Sequence, residues 1–179
     1  MKKLLLLTFA CIVAFTAISW ANKMFHAINV ESIHAAPVLL QTKIYPVNEI
    51  KKVSVSTSGG SISVSGDAAT NATIEMYVQA GNGKNLSKDE IQQILSKDYE
   101  ISITSENGTL TAIAKRKAFG SWKNALSVSF KVHTANGVGT DLNTSGGSIG
   151  LASLHGDEHF ETSGGSLQFE NLSGNIDGH

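Results

Sequence analysis

Five consecutive residues, His155-Gly156-Asp157-Glu158-His159, put two imidazoles and two carboxyls into one short run. Those are the side chains that ligate divalent cations. A helical zinc motif needs Glu directly after the first His, with both rings on one helix face. Here Gly156 follows, and an extended run holds the two histidines roughly 13 Å apart at about 3.3 Å per residue. A stacked arrangement with an 18-residue offset would instead set Asp177 beside His159 and Asn175 beside Asp157. His159, Asp157 and Asp177 are therefore the residues a cation ladder would draw on. The plainer expectation is solvated turn residues with no metal and no cofactor.

Gly146-Gly147-Ser148-Ile149-Gly150 matches the G-x-S-x-G spacing that exposes a nucleophilic serine. That elbow works on a strained strand-to-helix turn with Asp and His downstream. No helical pattern follows Gly150, and sister segments carry Ser63 or Gln168 there, so a turn is expected. Gly81-Asn82-Gly83-Lys84 lacks the Ser/Thr and the earlier glycine of a phosphate-binding loop. The five N-x-S/T sequons are what an Asn/Ser/Thr-rich chain yields by chance. Lys115-Arg116-Lys117, followed by Phe119 and Trp122, is the basic cluster and would suit a sugar- or lipid-facing loop or a solvated hairpin end. With no converging catalytic set, the expectation is a protein that is not an enzyme.

The elements that position these residues follow from a repeat. Thr57-Ser58-Gly59-Gly60-Ser61-Ile62 recurs as Thr144-Ser145-Gly146-Gly147-Ser148-Ile149 and as Thr162-Ser163-Gly164-Gly165-Ser166-Leu167. At the 18-residue offset of the last two copies, Leu151 matches Phe169, Leu154 matches Leu172 and Gly156 matches Gly174. A period this short holds brief strands separated by turns, the unit of a parallel β-solenoid. Glycine supplies the corners, Thr and Ser hydroxyls bond along the stack, and Ile149, Leu151, Leu154 and their equivalents point inward. The hexapeptide spacing of left-handed helices is absent, which favours a right-handed or flattened solenoid. The period sets the next copy at position 180, so the chain reads as cut at a repeat boundary.

Between the first two copies the pattern alternates: Ile74-Met76-Val78, Tyr99-Ile101-Ile103 and Leu126-Val128-Phe130-Val132. That is the period of half-buried strands. Asn107-Gly108 predicts a hairpin turn. Ser87 and Glu90 form a capping box ahead of Ile91, Ile94 and Leu95, with Leu86 and Ile91 as a staple, predicting one helix over 87–97. The expected fold is mainly β: an antiparallel sheet body over 50–135 with that helix, then a solenoid over 136–179, after an N-terminal segment over 22–49.

Lys2 and Lys3 precede an apolar run from Leu4 to Ala21, a leader with a cleavage signal at Ser19-Trp20-Ala21. Residues 1–21 are expected to be a signal peptide or uncleaved anchor, with the body exported to periplasm, surface or medium. Cys11, the single cysteine, lies inside the leader, and Thr8-Phe9-Ala10 is a poor lipobox. The mature chain then has no disulfide and must fold on burial alone. A membrane is involved only through an uncleaved leader.

The 179 residues suit one ordinary domain with a short appendage. Charged residues are 16 %, replaced by 21 Ser, 13 Thr and 17 Gly, ten of those glycines after Asn136. A net charge of −1 removes the basis for nucleic-acid binding. Residues 132–179 hold six acids and no Lys or Arg.

Together, Ile50–Ile62, Leu126–Val132 and the Thr-Ser-Gly-Gly copies with Leu172–Gly178 resemble a family of exported bacterial adhesin-like proteins with a domain of unknown function, over about residues 44–179. The resemblance brings no catalytic residues to carry over; the leader, the Thr-Ser-Gly-Gly stack and the lack of a converging catalytic set lead to the expectation of surface adhesion or a scaffold role at the cell envelope, the stacked face binding a glycan or protein. Members typically carry further repeats and a C-terminal strand cap that this chain lacks. Two other readings are open: a β-helix polysaccharide-active enzyme acting through Asp157 or Asp177, and an envelope-stress regulatory module.

Overall fold

Serine alternating with valine decides the first element pair. In Lys52–Thr57 the valines at 53 and 55 are buried and the serines between them half-buried, the signature of a strand with one wet face. The computed structural model describes residues 36–118 and 125–179, all within the compact unit His34–His179. The leader with Cys11 and the pair Phe119 and Trp122 lie outside the described residues. Twelve strands and one α-helix are described: β1 (Val38–Pro46), β2 (Lys52–Thr57), β3 (Ile62–Ser65), β4 (Asn71–Ala80), α1 (Lys88–Asp98), β5 (Tyr99–Glu106), β6 (Thr109–Arg116), β7 (Leu126–His133), β8 (Gly139–Thr144), β9 (Ile149–Ala152), β10 (Glu158–Thr162), β11 (Leu167–Glu170) and β12 (Ile176–Gly178).

They form two six-stranded sheets, neither closed on itself. One runs β1-β4-β7-β3-β9-β11 and the other β12-β10-β8-β2-β6-β5. Both are mixed. The outer pairs β1–β4, β4–β7 and β5–β6 are antiparallel, whereas β2 lies parallel to β6 and β8, and β3 parallel to β7 and β9. This corrects the expectation of a purely antiparallel body. The first Thr-Ser-Gly-Gly copy turns from β2 in one sheet to β3 in the other, so both its strands join the parallel part.

The inward faces supply one core, with Val53, Val55, Ile62, Val64, Ile74, Phe130, Leu142, Ile149, Leu151 and Leu154 almost fully buried. Each such aliphatic side chain contributes about 1.5–3 kcal/mol by leaving water. The repeat equivalents Leu167 and Phe169 continue the inward columns of Ile149 and Leu151 but stay 41 % and 45 % exposed, because β11 has one neighbour among the described strands.

The chemistry of the Thr-Ser-Gly-Gly corner is visible atom by atom. Thr57 Oγ1 donates to the Val128 carbonyl at 2.8 Å, Thr144 Oγ1 to that of Gly60 at 2.9 Å, and Thr162 Oγ1 to that of Gly147 at 3.0 Å. A Cβ on Gly60, Gly147 or Gly165 would strike the same carbonyls, of Val128, Gly60 and Gly147 respectively. The second glycine is thus required by close approach, and at Gly60 and Gly165 also by φ near +130°. A Cβ on the first glycine of each copy, Gly59, Gly146 or Gly164, would meet nothing within 4 Å. Serine completes the corner: the amides of Ser61, Ser148 and Ser166 donate to the hydroxyls of Ser129, Ser61 and Ser148.

The local predictions in the middle of the chain hold. Asn107 and Gly108 have φ of 51° and 79° and join β5 to β6. Ser87 caps α1, with its hydroxyl accepting from the Glu90 amide and the Glu90 carboxyl accepting from the Ser87 amide. The Ser87 amide and, second, its hydroxyl donate to the Glu90 carboxyl and hold it below its ordinary pKa. The helix begins and ends one residue later than 87–97, and buries Ile91 and Leu95.

Candidate functional site

Strands β8, β10 and β12 alternate, and their outward residues are the short polar ones. Parallel register then aligns these residues into rows across the sheet. Ser54, Asp141, His159 and Asp177 are direct cross-strand neighbours in that order, and Ser56, Asn143 and Glu161 form the next row. Neighbouring strands lie about 4.8 Å apart, close enough for each side chain to touch the next.

Contacts run along these rows and between them and their neighbours. Lys52 Nζ sits 3.3 Å from Asp141 Oδ2, His159 Nδ1 3.6 Å from Asp177 Oδ2, and Asn143 Nδ2 donates to Glu161 Oε2 at 2.8 Å. His179 Nε2 lies 3.8 Å from the other Glu161 oxygen. At the adjoining corner His155 Nδ1 is 2.5 Å from Ser173 Oγ. A polar groove of about 650 Å³ borders the rows, lined among others by Lys52, His155, Asp157, His159 and Asn175. The groups are mostly half-exposed or exposed, so each ion pair is weak by itself.

Beneath this face Glu158 points the other way. It is 1 % exposed, its carboxyl accepting from Thr140 Oγ1 and, at 3.3 Å, from the Gly156 amide. The bonds satisfy a group that would otherwise be costly to bury.

The cation-ladder candidates divide. His159 and Asp177 come together, while Asp157 lies on the corner with its carbonyl accepting from the Thr140 amide. Among the described residues, no three His, Cys, Asp or Glu side chains assemble in a way that would hold a metal ion. Gly146–Gly150 is a turn leading into β9, a strand rather than a helix. Lys117 Nζ donates to the carbonyls of Ser96 and Lys97 at the end of α1, where a cation complements the helix dipole. No helix among the described residues is long and apolar enough to cross a membrane.

Asp141, Asn143 and Glu161 are absent from the sequence-derived candidates. Extending the 18-residue offset backward from His159 and Glu161 would have reached Asp141 and Asn143. The Lys52–Asp141 contact required knowing that the first copy stacks on the second.

On the other sheet's outer face, Tyr77 Oη donates to Glu75 Oε2 at 2.8 Å. That bond, with a small contribution from burial and from the carboxyl's charge, raises the Tyr77 pKa above its ordinary value.

No family profile matches the chain, and no curated protein does. Solved structures do. A putative cell adhesion protein from Clostridium sporogenes is similar at 12 % identity and a TM-score of 0.43, over 78 % of this chain and 64 % of that one. A putative lipid binding protein from Parabacteroides distasonis is 12 % identical with a TM-score of 0.31, over 74 % and 60 %. A putative adhesin from Bacteroides fragilis is 16 % identical with a TM-score of 0.31, over 79 % and 60 %. The chain thus spans less than two thirds of the length of each of these proteins.

Proposed function

We propose that the protein is an exported, adhesin-like β-solenoid of the cell envelope that binds a glycan or protein surface without turning it over. The observation that carries this reading is the pair of polar rows, Ser54–Asp141–His159–Asp177 and Ser56–Asn143–Glu161. Carboxyl, amide, imidazole and hydroxyl groups lie on one sheet at regular spacing. Such a face exchanges many individually weak hydrogen bonds with a hydroxyl-rich or polar surface. The residues lie on strands and are cross-braced, so little side-chain freedom is lost on binding. The Lys2-Lys3 leader with its apolar run supports export.

The test has two parts. Fractionation should place the protein outside the cytoplasm. Binding of the purified chain to immobilised bacterial and host-type polysaccharides should then weaken about tenfold when Asp141 and Asn143 are both changed to Ala, with unchanged circular dichroism. A cytoplasmic protein, or a double variant that binds as tightly as the parent, would remove the proposal.

A further inference from the structure

β1 is the edge strand of one sheet and β5 that of the other. Lys43 Nζ on β1 donates to the Ile103 carbonyl on β5, and α1 packs against β5. Together with β4 these elements border a cleft of about 500 Å³. Small-molecule sites fall in the range of about 300–1,000 Å³. Its apolar walls are Met76, Leu95 and Tyr99, all buried, with Leu40 and Ile101 half-buried beside them. The Tyr99 hydroxyl is committed to the Leu126 backbone, so this residue offers the cleft its ring alone. Gln41, Gln92 and Ser96 complete the lining, and no described residue that lines the cleft is charged.

The strand that forms one wall breaks its alternation at this point. The register of β1 against β4 shifts between Leu39 and Gln41, which leaves Leu40 as an extra residue. Leu40 and Gln41 are consequently both half-buried, where a regular strand would turn one of them outward, and both line the cleft. Bulges re-aim side chains beside functional sites. The carboxamides of Gln41 and Gln92 have no hydrogen-bond partner among the described residues.

We propose that this cleft binds a small neutral molecule with an apolar body and an uncharged hydrogen-bonding end, of the class of medium-chain primary amides and alcohols. The body lies against Met76, Leu95 and the Tyr99 ring. The end exchanges hydrogen bonds with the Gln41 and Gln92 carboxamides, each both donor and acceptor. A carboxylate, phosphate or ammonium end would lose hydration with no counter-charge in the lining to replace it. The cleft shares no residue with the polar rows, so it is a second site.

Octanamide, octanoate and octylammonium, titrated into the full chain carrying methyl-labelled methionine, separate the ligand classes. Octanamide should bind with a Kd below about 1 mM and shift the Met76 methyl resonance. The two charged analogues should bind at least about tenfold more weakly. Ser96→Trp, which sets a bulky ring at the mouth of the cleft, should weaken octanamide at least about tenfold with the thermal transition retained. Gln93→Trp, on the same helix but outside the lining, should leave binding unchanged. Gln92→Lys should bring octanoate to within about threefold of octanamide by supplying the missing charge. No shift at Met76 up to about 10 mM octanamide, equal binding of the three ligands, or a Ser96→Trp variant that binds as tightly as the parent would each overturn the proposal.

Discussion

Thr140 and Glu158 stand side by side on adjacent parallel strands, one repeat apart, with the hydroxyl of one donating to the buried carboxyl of the other at 2.5 Å. The pair occupies an inward column otherwise filled by Leu110, Val53 and Ile176. A polar pair in an apolar column stands only while both members are present.

Thr140→Val should therefore destabilise the fold by about 1–3 kcal/mol, since Glu158 would keep only the Gly156 amide. The double change Thr140→Val with Glu158→Leu should recover most of that loss. Urea unfolding of the two variants and the parent checks the non-additivity.

The two glycines of each corner should respond oppositely to a methyl group. Gly164→Ala should stay within about 0.5 kcal/mol of the parent, there being nothing within 4 Å of its Cβ. Gly147→Ala forces a Cβ against the Gly60 carbonyl and should cost at least about 1–3 kcal/mol. Thermal melts of the two single variants separate them.

Tyr99→Phe should cost about 1–3 kcal/mol although it deletes one oxygen. The Tyr99 hydroxyl donates to the Leu126 carbonyl at 3.0 Å and accepts from the Leu126 amide at 2.8 Å, both buried. Amide exchange at Leu126 should quicken with the drop in stability, and that rate is the readout.

Stability should depend on pH through two groups of opposite sign. The lowered Glu90 pKa means that its capping contribution is present above the ordinary glutamate value of about 4.3 and is lost as pH falls through the lowered one. The raised Tyr77 pKa means that its bond to Glu75 contributes fully below about 10 and is lost as pH rises through the raised value. Glu90→Gln should flatten the acid limb of the stability profile and Tyr77→Phe the alkaline limb, measured as urea midpoints.

The legible parts of the fold were those with local causes. Ser87 and Glu90 announce α1 within four residues, and Asn107-Gly108 fixes its hairpin because two successive positive φ values admit few residue pairs. The 18-residue step was legible because Ile149, Leu151 and Leu154 repeat with the glycines. What alternation could not reveal is direction. Val53 and Val55 alternate identically in parallel and antiparallel sheets, and only the partners, Leu110 with Ala112 and Thr140 with Leu142, settle it. For the polar face, His159 and Asp177 followed from the offset. Lys52 did not, since its partner Asp141 is 89 residues away. Glu158 reads as a surface acid between two polar neighbours, and only strand parity turns it inward.

The parallel placement of β2 and β3 has a consequence for the order of folding. Thr57 waits for Val128, 71 residues later, and Thr144 reaches back 84 residues to Gly60. The first corner made during synthesis thus finds a neighbour for β2 only with β6, and for β3 only with β7 and β9. Loop-closure entropy must be met before those contacts form, which slows the search. A chain emerging from its N-terminus has no early nucleus at that corner, and β3 stays unpaired until β7 has been made.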